Sequence, residues 1–123
     1  MFQRREFLAT AGMVAVTPAL ASESETKPLY GLIGQMNCVT GRRAEVIAIL
    51  SEGTAAMAGC RSYIIAEDST DANAIWITEV WDSKEAHAAS LKLPAVRAAI
   101  AKGRPLIAGF GQRFETVPRA GVR

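Results

Sequence analysis

The sequence predicts one α+β domain of element order β-α-β-β-α-β, an antiparallel sheet with its helices on one face. Three observations carry that expectation. Four segments are rich in β-branched and aromatic residues: Tyr30 to Val39, Cys60 to Glu67, Ile75 to Trp81, and Leu106 to Val117. The stretches after the first and third of them space their apolar residues as helices do. The chain has 123 residues and is 50% hydrophobic, enough for a single domain with a real core.

The N-terminus reads as an address. Gln3-Arg4-Arg5-Glu6-Phe7-Leu8 resembles the twin-arginine export motif, and a moderately apolar run, Pro18 and an Ala19-Leu20-Ala21 cleavage site follow in order. The run is shorter than the ~18 apolar residues of a spanning helix. The alternative, an amphipathic helix of the mature fold, explains neither the motif nor the cleavage site. Residues 1–21 are therefore expected to be a twin-arginine signal peptide, 22–28 a polar linker, 29–117 the folded domain and 118–123 a frayed tail. The mature protein is expected to be periplasmic or otherwise extracytoplasmic, with no stable membrane anchor after cleavage.

Within the domain, strand one places Tyr30, Leu32, Met36 and Cys38 on one parity and Ile33, Gln35 and Asn37 on the other. Thr40-Gly41 reads as a turn and cap. From Arg42 to Met57, residues Val46, Leu50, Gly53 and Met57 follow helical spacing, with Ala58-Gly59 as the stop. Cys60 to Glu67 forms strand two, and the polar run Asp68 to Asn73 a hairpin loop. Strand three is apolar at both parities, as in a strand covered on two faces. Asp82 or Ser83 caps the helix that follows, and Asp82 and Glu85 have the spacing of a capping box. A second short helix starts at Pro94 and is stopped by Gly103 and Pro105. In strand four, Leu106, Phe110 and Phe114 share one parity; the other carries Gly109 and Gly111, and interior glycine marks a bulge or a close backbone approach. This order is ferredoxin-like. The sheet face away from the helices keeps large apolar side chains, so a homodimer through the sheet faces is expected.

The net charge of +2, without a dense Lys/Arg cluster in the mature domain, argues against nucleic acid as a partner. One histidine and two cysteines are too few for a dedicated zinc site, so no metal is expected. Cys38 ends one strand and Cys60 begins the next parallel one. They should therefore lie at opposite ends of the sheet, beyond the ~7 Å Cα limit for a disulfide, as buried free thiols.

The lone histidine, His87, is the residue with obvious chemical capacity. Ser90 at i+3 and Leu91 at i+4 share its stripe, and Leu91 marks that stripe as inward-facing. Gly59-Cys60, Tyr63, Asp68, Asp71 and the run Glu79-Val80-Trp81-Asp82-Ser83-Lys84-Glu85-Ala86-His87 resemble the antibiotic biosynthesis monooxygenase family, of the dimeric α+β barrel superfamily. The resemblance covers about residues 29–117. It implies a dimeric barrel and cofactor-independent oxidation of quinol-like or polycyclic phenolic compounds, with O2 as co-substrate. Such chemistry needs a base, a dry pocket and donors for a developing oxyanion. His87, with an unperturbed pKa of ~6.5, suits the base. Gln35 and Asn37 are candidates to orient the substrate oxygen, Ser90 to contact the substrate, and Trp81, Phe110 and Phe114 to stack on its rings. Arg97 and Arg113 are candidates to close the pocket or meet an acidic substrate, with solvated surface the plainer reading for Arg97. The bland reading of His87 is a hydrogen bond to a carbonyl at a helix start; that of the tryptophans is core.

Two alternatives stand beside the oxygenase. One is a non-catalytic extracytoplasmic binder of small hydrophobic molecules. The other is a heme-binding or heme-degrading protein. The heme-degrading relatives carry an Asn on the first strand, a Trp on the helix after the Trp-x-Ser element and a His further along. Gln35, Ser90 and Ile100 stand at about those places here, which makes heme the less favoured cofactor.

Overall fold

The computed structural model describes residues 27–122. The expected signal peptide, residues 1–21, lies outside the described residues, as does most of the expected linker. The elements follow the order β1 (Tyr30–Cys38), α1 (Arg43–Gly53), β2 (Cys60–Glu67), β3 (Ala74–Trp81), α2 (Lys84–Ser90), α3 (Pro94–Gly103), a 3-10 turn (Arg104–Leu106) and β4 (Ile107–Thr116). The sheet order is β2-β3-β1-β4, with every pairing antiparallel, which is the ferredoxin-like arrangement.

Register decides which side chains meet. Tyr30 lies opposite Trp81, Leu32 opposite Glu79 and Met36 opposite Ile75. Residues directly opposite point to the same face, so Leu32, Met36, Ile75, Ile77, Glu79 and Trp81 all turn toward the helices. The core forms there from Cys38, Val46, Ile75, Ile77 and Leu106, with Leu50, Tyr63 and Ile65 packed against it. Val46 and Ile75 are wholly buried, each contributing about 1.5–3 kcal/mol relative to exposure. Helices α1 and α3 pack so closely that a methyl group on Gly53 would overlap Ala99 Cβ.

Several local expectations shift. Helix α1 stops at Gly53 rather than Met57. The Thr54 hydroxyl donates to the Leu50 carbonyl at 2.7 Å and closes the last turn. Its N-cap is Arg42 rather than Thr40, with no side-chain cap; the start is secured by Arg42 on Glu45 at 2.7 Å. Arg43 ties the helix to the β2–β3 hairpin by donating to the Asp71 carbonyl at 2.8 Å. Ser83, not Asp82, caps α2 by accepting the Ala86 N–H at 3.0 Å. The Asp82–Glu85 box does not form, because Asp82 reaches across to Arg61 at 2.6 Å. In the hairpin, the Asp68 carboxylate accepts from the N–H of Thr70, Trp76 Nε1 and the N–H of Asp71, which holds it far below the usual carboxylate range.

The glycine-rich parity of β4 marks both features expected of it. The β1–β4 register slips between Gly34 and Met36, and a side chain on Gly111 would collide with the Gln35 amide. Cys38 and Cys60 are free thiols at opposite ends of the sheet; Cys38 is buried and Cys60 is half-buried.

Candidate functional site

A cavity of about 200 Å³ lies between the sheet and the helices at the Trp81 end. Its walls are apolar, with Met36, Leu50, Met57, Ile77 and Val96 among them; its polar groups include His87, Glu79 and Tyr63. Helix α2 places His87 there because its Ser83 cap sets the first turn and Ser90, one turn on, is buried. The Ser90 hydroxyl is committed to the His87 carbonyl at 2.6 Å. Leu91, taken from the sequence as the inward marker, is instead half-exposed at the cavity's edge. The imidazole packs edge-on against Trp81 with ring centroids 5.4 Å apart, and tilted against Tyr30 at 5.8 Å. Its Nε2 lies 3.8 Å from Glu79 Oε1, within ion-pair range but beyond a hydrogen bond.

Reading from sequence leaves three residues out of the site: Tyr30, Tyr63 and, above all, Glu79. Its side chain is only 12% exposed. It accepts the Trp81 indole N–H at 2.8 Å, which orients the carboxylate. Burial pushes its carboxyl above the usual range, opposed by the Trp81 N–H and by the neighbouring His87 and Arg113. Across the strands Tyr63 faces Glu79, and burial, reinforced by that carboxylate, drives its phenol far above the usual tyrosine range. Tyr63 therefore stays a neutral hydroxyl at all physiological pH. A signal for Glu79 was present: it shares the parity of Ile75, Ile77 and Trp81, an acid on the apolar side of a strand.

The other named residues divide. Trp81 and Ser90 line the His87 cavity. Phe110 belongs to the same side of the sheet, opposite Met36, but lines a second, larger cleft of about 450 Å³. Gln35 and Asn37 do not share the cavity, since strand alternation puts them on the outer face; Phe114, expected on the same parity as Phe110, joins them there because the β1–β4 register slips between Gly34 and Met36. There the Gln35 amide accepts the Gln112 N–H at 3.4 Å. Of the three positions compared with heme-degrading relatives, Ser90 and Ile100 both line the His87 cavity, the Ser90 hydroxyl committed to backbone, while Gln35 is on the outer face. Among the described residues no cluster of three or more His, Cys, Asp or Glu side chains is placed to hold a metal ion.

A buried carboxylate beside an imidazole in an apolar hollow can accept a proton from a weakly acidic guest and hold the resulting positive charge. Comparison with known proteins gives the family and the fold. The family model described as antibiotic biosynthesis monooxygenase matches residues 30–102. A crystal structure of a candidate antibiotic biosynthesis monooxygenase from Chloroflexus aurantiacus J-10-fl is 58% identical, with a TM-score of 0.74, covering 76% of this chain and 95% of that one. SnoaB, a cofactor-independent oxygenase from Streptomyces nogalater, shares the fold at 14% identity and a TM-score of 0.64, covering 77% of this chain and 97% of its own. A further candidate of the same kind from Caulobacter crescentus CB15 shares it at 18% identity and a TM-score of 0.61, covering 82% and 98%. No curated protein matches the chain. The chain belongs to the antibiotic biosynthesis monooxygenase family.

Proposed function

We propose that the protein is a cofactor-independent monooxygenase that oxidises quinol-like or polycyclic phenolic compounds with O2. The observation that carries this reading is the His87–Glu79 pair turned into an apolar cavity between sheet and helices. His87 takes the phenolic proton, and Glu79 stabilises the imidazolium that results. Trp81 and Tyr30 fix the plane of the ring, and the Tyr63 hydroxyl is a neutral donor for the developing oxyanion. For an anthrone-type substrate, the anion gives its electron pair to dioxygen and forms a carbon–oxygen bond, and the peroxide so formed takes back the proton held by His87. Loss of water then leaves a new carbonyl, so one oxygen atom stays on the product and the other departs as water.

Two further features belong to the proposal. The twin-arginine-type leader would deliver the folded domain to an extracytoplasmic compartment, and the apolar outer face of the sheet would be covered by a second copy. That face carries Ile64 and Phe114, both half-exposed.

Oxygen uptake with a panel of hydroquinones and anthrones in metal-free buffer tests the reaction. His87→Ala is expected to slow it by about 10²–10⁴-fold, the usual contribution of a positioned base. Unchanged turnover would remove His87 from the mechanism, and no uptake by the unaltered protein with any of the panel would end the oxygenase reading.

A further inference from the structure

The larger cleft of about 450 Å³ shares the walls Met36, Leu50, Ala99 and Ile100 with the His87 cavity, so the two adjoin along the sheet beneath α1 and α3, as two parts of a trough. Register gives its length. Glu79 pairs at Leu32 and Phe110 at Met36, four residues along β1 and on strands to either side of it. At strand spacings this is a diagonal of roughly 16 Å. Met36, Val46, Leu50, Ile107 and Phe110 make the far part almost entirely apolar.

At that far end stands a cation. Arg104, in the 3-10 turn after α3, lines the cleft, and it shares a shallow depression with Arg97 across Ile100 and Ala101. Among the described residues neither guanidinium forms a salt bridge, whereas Arg42, Arg43 and Arg61 each do. A trough with a proton-accepting pair at one end, an apolar length between and a free guanidinium at the other matches an elongated aromatic molecule with a carboxylate at its far end. The geometry points to Arg104, assisted by Arg97, as a specificity-determining residue that selects polycyclic aromatic acids over neutral aromatics of the same shape. This rests on the oxygenase reading for what happens at His87, but not for the binding itself. The carboxylate would pair with the planar guanidinium fork, the geometry that arginine offers and lysine does not.

Binding without turnover tests it separately from catalysis. Calorimetric titration of the folded protein under nitrogen would compare anthraquinone-2-carboxylate with anthraquinone-2-carboxamide. The acid is expected to bind about fivefold tighter, as for a partly solvated charge-assisted contact. Arg104→Gln should erase most of that preference without weakening the amide, and Ile100→Trp, at the junction of the two parts, should weaken both probes. Equal affinity for acid and amide, a preference that survives in an Arg97→Gln/Arg104→Gln double variant, or an Ile100→Trp variant that binds as before would each overturn the assignment. Tight acid binding with no oxygen uptake would leave this inference standing and end the oxygenase reading alone.

Discussion

The two faces of the sheet have similar raw material and use it differently. Toward the helices, β3 presents Ile75, Ile77 and Trp81, all buried, and places among them one acid, Glu79, which finds the Trp81 N–H and the His87 imidazole. Away from the helices the same strand and its neighbours present Trp76, Val80, Ile64, Phe114 and the amides Gln35 and Asn37. There the apolar groups are left partly in water while Trp76 and Gln35 are tied to nearby loop and strand atoms. On the covered side the exclusion of water pushes Glu79 and Tyr63 up, whereas on the open side Asp68, which accepts the Trp76 indole N–H, is held down by hydrogen bonds. In the proposed reading the chemistry belongs to the covered side and association to the open one.

The largest break in that contrast should come from the core. Ile75→Ala is expected to cost about 2–5 kcal/mol in urea denaturation, as for other large-to-small changes at wholly buried sites. Ile64→Ala, half-exposed on the outer face, should cost the isolated subunit a fraction of that, and equal losses would mean the two faces are not distinguished by packing. A smaller effect is expected from Phe114→Glu. In the proposed dimer it would bury an unpartnered carboxylate and raise the dissociation constant about tenfold or more, read by sedimentation; an unchanged constant would place the interface elsewhere. The smallest is a matter of pH. Burial raises the folded Glu79 pKa above its ordinary 4.5, so the folded state holds that proton more tightly than the unfolded chain. Stability should therefore fall as pH rises from that ordinary value through the raised one. Glu79→Gln should lack this segment of the melting-temperature profile, and superimposable profiles would show that the carboxylate is not desolvated.

Much of the architecture was legible because it rests on local rules. Strand parity, the Pro94 helix start, the polar hairpin after Glu67 and the glycine-rich β4 each follow from near neighbours, and the strands fall within a residue or two of expectation. The site was legible only in part. His87 stood out as the chain's one imidazole, but Gln35, Asn37 and Phe114 were grouped with it on chemical type, while register puts them across the sheet. Helix α1 ended early because the Thr54 hydroxyl took the Leu50 carbonyl, a choice that apolar spacing does not register.

The order of residues by itself determined the element sequence, the ferredoxin-like topology and the family, because periodicity and turn chemistry act over a few positions. Only the tertiary structure decided that Glu79 meets His87 and that a larger cleft, lined by Arg104, adjoins their cavity. Those residues are far apart or face one another only through strand pairing and helix packing, and burial, which perturbs the carboxylate, exists only once the layers close.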